Sequence, residues 1–349
     1  MAAPKLRCEA CDCRFDLDPY DANERRVRCP QCGGMVPIRT GSSRKSGGSG
    51  TKWVLIIIVL VGLLGLGCCG GFGLLFWYSV KPTDFPEQTQ DYSDARKAHK
   101  TQLLRQGPSQ QAWKPETPPV GVNEVTYKSG ELQLKAWVNR PAAIGNKKPA
   151  VLFLHGGFSF DQKDWDHCQP FRDAGFVTMT PMLRGENGLP GNYTFFYDEV
   201  DDIVAAAETL ALLPGVDPNR IFVAGHSAGG TLAMLGAMTS KRFKGCASFS
   251  GSPDQVAFVR AEPGLAPFDV NNFKELEMRS PLAYPKSFKC PARLYWGDEE
   301  FPLQFSTQKL AKKAKAAGLD VQAIEVPGDH TTSVDPAMRL AATFFQQVK

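Results

Sequence analysis

The chain has 349 residues, 43% hydrophobic and 22% charged, with 40 Lys+Arg against 36 Asp+Glu and a formal charge of +4. These values exclude a disordered or fibrous protein and supply chain enough for one large or two ordinary domains. Residues 1–52 hold ten basic and six acidic residues, which is the whole excess, so the neutral remainder offers no basic surface to a nucleic-acid partner.

Five of the ten cysteines (Cys8, Cys11, Cys13, Cys29 and Cys32) crowd the first 32 residues. That is no disulfide framework, which needs an even, dense set in a small domain. Cys8-Glu-Ala-Cys11 and Cys29-Pro-Gln-Cys32 form two C-x-x-C knuckles. Each bends the backbone so that two thiolates face one ion, and together they predict a closed Cys₄ shell for structural zinc over residues 1–38. Redox chemistry is the alternative for C-x-x-C, but no βαβ pattern surrounds these pairs. Cys13 is a fifth thiol competing with Cys11. The head resembles the short bacterial zinc ribbons that precede a membrane helix.

Residues 39–52 read as a flexible basic Gly/Ser linker, and 53–80 contain no charged residue. The latter length suits a transmembrane helix, with Trp53 and Trp77-Tyr78 at the two interfaces. Arg39, Arg44, Lys45 and Lys52 on the amino side, against Lys81 on the other, place the N-terminus in the cytoplasm and the larger part outside it. The expectation is therefore a single-pass membrane protein with the lipid bilayer as one partner and a cytoplasmic protein as a second, bound to the head. Residues 81–119, polar and Pro-punctuated, predict a stalk with one short helix around Ser93–Leu104.

From 120 to 349 short apolar runs alternate with helix-period stretches. A hairpin over Glu124–Lys128 and Leu132–Val138 leads into strands at Ala150–Leu154, Phe176–Thr180, Arg220–Ala224, Cys246–Ser250, Ala292–Trp296 and Val321–Val326. Helices are predicted at Asp198–Leu213, Ala228–Ser240, Leu303–Ala317 and Val334–Val348. The alternation predicts an α/β fold, a mostly parallel sheet covered by helices on both faces. Residues 253–279, with Phe258, Phe268 and Phe273 among Pro and Gly, interrupt the pattern and read as a small cap.

Gly225-His226-Ser227-Ala228-Gly229 places G-x-S-x-G between an apolar strand and a helix. A serine on so tight an elbow projects its oxygen beyond the sheet, and the following helix points free amides at a developing oxyanion. His155-Gly156-Gly157-Phe158 ends an earlier strand, making Gly157 or Phe158 the oxyanion partner of the Ala228 amide. Of five histidines, His330 alone lies in the loop after the last strand, where the Ser, acid, His order needs the base. The acid belongs in Gly297-Asp298-Glu299-Glu300, with Glu300 preferred to Asp298 on spacing and both open on residue type.

From about Pro149 onward the chain resembles the catalytic domain of prolyl-oligopeptidase-like serine peptidases, within the α/β-hydrolase superfamily and near its dienelactone-hydrolase and esterase branches. The resemblance rests on His155-Gly156-Gly157, Leu183-Arg184-Gly185, Asp201-Asp202-Ile203, Gly225–Gly230, Ser280–Tyr284, Trp296-Gly297 and Gly328-Asp329-His330. It implies a serine hydrolase acting on small ester or peptide substrates through an acyl-enzyme, with no catalytic cofactor. Trp296 stands where histidine is common and Phe158 where proline is common, and there is no room for a β-propeller. The competing reading is a catalytically silent hydrolase fold used for binding or sensing.

Overall fold

The computed structural model describes residues 5–8, 11, 13–16, 26–29, 31–32, 35–37, 81–139 and 147–348. The chain divides into two units, Met1–Gly71 and Phe72–Lys349. In the first, β1 (Lys5–Arg7) pairs antiparallel with β2 (Arg14–Asp16), and β3 (Arg26–Arg28) with β4 (Met35–Pro37). Cys8 and Cys29 directly follow β1 and β3 and are buried together with Val27 and Val36.

Two expectations for this part of the chain need correcting. Among the described residues no helix is long and apolar enough to cross a membrane. Residues 53–80, on which the transmembrane helix rested, lie outside the described residues, as does the linker at 39–52. The bilayer as partner, the single-pass topology, the cytoplasmic N-terminus with its protein partner and the extracytoplasmic hydrolase domain therefore lose their basis and are withdrawn. The zinc ribbon likewise reduces, among the described residues, to two antiparallel strand pairs and a cluster of four cysteines able to hold a metal ion.

The second unit is built on one eight-stranded sheet in the order β12-β11-β10-β9-β7-β8-β6-β5. Its strands are β5 (Val122–Ser129), β6 (Leu132–Asn139), β7 (Lys148–Leu154), β8 (Val177–Pro181), β9 (Val216–His226), β10 (Phe243–Phe249), β11 (Ala292–Gly297) and β12 (Val321–Val326). β5 and β6 form an antiparallel hairpin at one edge, β6 joins β8 antiparallel, and β7 to β12 run parallel.

Both faces of the sheet are buried, which is why its central strands are continuously apolar. On β7, Leu152 and Leu154 join one core with the helices Glu199–Leu212 and Ala228–Thr239, while Val151 and Phe153 face a second core. There the final helix, Val334–Gln347, packs Met338, Ala341 and Phe345 against Phe171 and Phe222. The strand period of two thus sends alternate side chains to opposite layers.

Residues 81–119 are not a free stalk. Phe85, Tyr92 and Ala95 are buried in the first core, and the helix there is shorter than expected, Tyr92–Ala98. Arg96 donates to Tyr197 O at 2.8 Å and to Asp201 Oδ1 at 2.6 Å. Gln102 N–H and Thr101 Oγ1–H donate to the Glu275 carboxylate, both at 2.8 Å. Apolar anchors spaced among prolines give no helical period, so this docking is invisible to periodicity.

Candidate active site

The strand-to-helix turn holds Ser227 at φ 54° and ψ −117°, a conformation strained for a residue with a side chain. The glycines of the motif make it possible. A Cβ at Gly229 would lie 2.1 Å from the Leu154 carbonyl oxygen, so the helix approaches β7 closely only because nothing projects there. Ser227 O receives the Gly230 and Thr231 N–H groups at 3.0 and 3.2 Å, which starts the helix. Ala228, first in that helix, has an N–H without an intrahelical acceptor.

Ser227 Oγ lies 2.9 Å from His330 Nε2, and His330 Nδ1 lies 2.6 Å from Glu300 Oε1. A carboxylate only accepts, so Nδ1 carries the imidazole proton and Nε2 is left to accept from the Ser227 hydroxyl. Burial pushes the Glu300 carboxyl up, but hydrogen bonds from His330, from Ser250 Oγ (2.5 Å) and from Gly297 N–H (2.7 Å) outweigh it and hold the group below the ordinary range. Glu300 is thus ionised beside the imidazole.

Asp298 has a different partner. Its Oδ1 accepts the Gly328 N–H at 2.9 Å, bracing the loop that carries His330. The two loops touch at Gly297, where a Cβ would meet Gly328 O at 2.1 Å. The expected residues Ser227, His330 and Glu300 are therefore brought together, and Asp298 stands outside that group. Gly157, Phe158 and Ala228 line the same cavity of about 450 Å³.

Three contributors were not apparent from sequence. Ser250, itself at φ 52°, holds the far oxygen of Glu300. His226 donates from Nε2 to His330 O at 2.8 Å, tying the elbow to the loop of the base; burial first, then the neighbouring His330, lower its pKa to about 4. The only sequence signal for His226 is its place inside the elbow motif. Gln111 accepts the Phe158 N–H at 2.7 Å, from a segment with no motif at all.

His155 is fully buried below the Gly-Gly turn, 3.0 Å from Glu186 Oε2. Burial disfavours its charge, but the field and hydrogen bond of Glu186 outweigh that and raise its pKa from 6.5 to about 10. A group raised in this way stabilises the fold fully below its unfolded value near 6.5, and the contribution fades as pH climbs towards about 10. The thermal midpoint is expected to fall over that window, and Glu186→Gln, which removes the charge, to lose much of the dependence in a differential-scanning series.

Comparison with known proteins agrees with this architecture. A family model described as the alpha/beta hydrolase family matches residues 151–343. The chain belongs to the α/β-hydrolase family. It is 32% identical over 188 residues to an uncharacterized peptidase, YtmA, of Bacillus subtilis (strain 168), covering 50% of this chain and 72% of that protein. The acylamino-acid-releasing enzyme of Rattus norvegicus is 26% identical over 239 residues, 60% of this chain and 32% of that one.

Among solved structures, an acylaminoacyl peptidase of Pyrococcus horikoshii overlays with a TM-score of 0.54 at 23% identity, over 65% of this chain and 41% of that chain. An esterase of Pyrobaculum calidifontis overlays with a TM-score of 0.52 at 21% identity, over 66% and 88%. The chain thus spans well under half of the acylaminoacyl peptidase it overlays. Such identities speak for the fold alone.

Proposed function

We propose that this hydrolase-family chain is a serine hydrolase that cleaves small ester or amide substrates. The observation that carries the reading is the continuous hydrogen-bonded line from Ser227 through His330 to Glu300, with the serine strained on its elbow. His330 Nε2 takes the Ser227 proton as the oxygen attacks a carbonyl. The Ala228 N–H and the Gly157 N–H stabilise the oxyanion. Gly157 is preferred to Phe158 because it has no hydrogen-bond partner among the described residues, whereas the Phe158 N–H is engaged by Gln111. His330 then protonates the leaving group, Glu300 stabilises the imidazolium, and water releases the acyl group by the reverse sequence.

The cavity favours neutral, apolar groups. Phe158, Phe196, Phe258 and Leu303 line it, and Glu300 is its one charged lining residue among those described. Phe258 comes from the helix Gln255–Ala261 of the 253–279 insertion, and its place in the cavity lining supports reading that insertion as a cap. A catalytically silent fold has no need of an aligned, strained serine, so the enzymatic reading is preferred. Turnover of a series of p-nitrophenyl esters and aminoacyl p-nitroanilides by the full chain tests it, and no turnover of either series contradicts it.

For the first unit, the reading is structural zinc. The Sγ atoms of Cys8, Cys11, Cys29 and Cys32 lie within 4.8 Å of one another, with Cys8 and Cys32 at 3.6 Å and Cys11 and Cys29 at 3.5 Å. A tetrahedral ion with Zn–S bonds of about 2.3 Å needs sulfurs roughly 3.8 Å apart, so the set fits. Cys13 lies 3.1 Å from Cys29 and stands as a spare thiol. Metal analysis of the full chain should give about one zinc per chain, lost in Cys8→Ser/Cys29→Ser, without effect on ester turnover.

A further inference from the structure

Residues 104–113 cross the catalytic face as an irregular strap fixed at several points. Leu104 and Arg105 donate their N–H groups to Pro267 O at 2.8 and 3.0 Å. Gly107 N–H donates to Asn192 Oδ1 at 2.9 Å, and Ser109 N–H to Gly185 O at 2.9 Å. The strap then grips a single residue of the turn after β7. Ser109 Oγ–H donates to Phe158 O at 2.6 Å, and the Phe158 N–H donates to Gln111 Oε1 at 2.7 Å. Both peptide groups of Phe158 are therefore held by side chains that begin 47 and 49 residues earlier.

The position of this grip matters more than its strength. Gly157, at φ 66°, precedes Phe158, and its own N–H is left without a partner among the described residues. The Gln111 carboxamide covers Gly157 so closely that a Cβ there would come within 2.7 Å of Oε1. The Phe158 ring is seated in turn against Tyr193 and Phe196, with centroids 5.1 and 5.7 Å away, and walls the cavity.

We propose that Ser109 and Gln111 are positioning residues of the active site, a two-point clamp on Phe158 that aims the Gly157 N–H at the oxyanion and fixes the wall of the acyl pocket. The inference rests on the serine-hydrolase reading. A left-handed glycine flanked by a second glycine has many accessible conformations, and an oxyanion donor works only when pre-aligned. Because Gln111 engages the Phe158 N–H and leaves that of Gly157 open, the strap supports the site and does not plug it. Misplacing such a donor by about 1 Å is enough to cost up to ~10²-fold in rate.

The test compares the full-length wild type with Ser109→Ala, Gln111→Met and Ser109→Thr, measuring kcat and KM for p-nitrophenyl butyrate and the thermal midpoint. The expected result is a fall of about tenfold in kcat for Ser109→Ala and for Gln111→Met, with KM within about twofold, an unchanged midpoint, and recovery in Ser109→Thr, which restores the hydroxyl donor. Unchanged kcat, a change confined to KM, or a fall in rate matched by a fall in midpoint would each overturn the clamp. A rise in kcat would also overturn it, making Gln111 an inhibitory plug. With an active wild type, any of these outcomes refutes the clamp alone; an inert wild type refutes the serine-hydrolase reading and the clamp with it.

Discussion

Replacing Ser227 by alanine is expected to lower kcat by ~10⁴ to 10⁶-fold while leaving the fold in place. Among the described residues the removed oxygen is the one hydroxyl bonded to His330 Nε2, at 2.9 Å, and no other serine in the cavity lies on the elbow. Ser250, Ser252 and Ser306 also line that cavity, but Ser250 is committed to Glu300, Ser252 donates to Asp254 O at 3.2 Å and Ser306 to Leu303 O at 3.1 Å. The backbone should tolerate the change. At φ 54° a Cβ is already present in the native residue, so alanine adds no strain and removes one exposed polar group. Residual turnover above the uncatalysed rate would come from the Ala228 and Gly157 amides, which the substitution does not touch. The measurement is kcat on one ester for both proteins, with circular dichroism spectra that superimpose.

Glu300→Gln is expected to cost ~10⁴-fold in kcat, and Asp298→Asn no more than a few fold. A glutamine amide at 300 would present a donor or a neutral acceptor to His330 Nδ1, losing the charge that fixes the tautomer and stabilises the imidazolium. It would also perturb the acceptor that now takes hydrogen bonds from Ser250 Oγ and the Gly297 N–H. Asp298 makes its bond to Gly328 N–H, so an asparagine there keeps an acceptor oxygen and changes only the charge of a loop brace. Equal losses in the two variants, or a loss confined to Asp298→Asn, would move the acid away from Glu300.

The contrast between these carboxylates shows what a single sequence reveals. The elbow was legible because close approach is written locally: a Cβ on Gly229 would lie 2.1 Å from the Leu154 carbonyl oxygen, so small residues must flank Ser227. His330 was legible by elimination and chain order. The acid was legible only as a preference: spacing favoured Glu300 over Asp298 among the three consecutive acidic residues after Gly297, and the Ser250 hydroxyl that helps hold Glu300 lies 50 residues earlier and carries no recognisable motif.

The expected helices and strands from 120 onward follow hydrophobic period; Asp198–Leu213 was expected and Glu199–Leu212 is observed, whereas the strand expected at Arg220–Ala224 runs Val216–His226 and the short helices Gln162–His167 and Gln169–Asp173 were not expected. Residues 81–119 defeated that approach. Their contacts come from one short helix, Tyr92–Ala98, and from single residues on irregular backbone, each to a partner far away in the chain, and such pairing offers little period to detect. The membrane anchor failed for another reason: it drew on the length of an uncharged run, its flanking aromatics and the charge asymmetry around it, and nothing in the described residues stands behind it.

The central claim is that Ser227 is an activated nucleophile. It is tested most directly by incubating the full-length chain with a fluorophosphonate and mapping the adduct by mass spectrometry. The account predicts one phosphonate per chain on the peptide containing Ser227, abolished by Ser227→Ala and strongly slowed by His330→Ala. A folded wild-type chain that takes up no label, or takes it up on a serine other than 227, would contradict it.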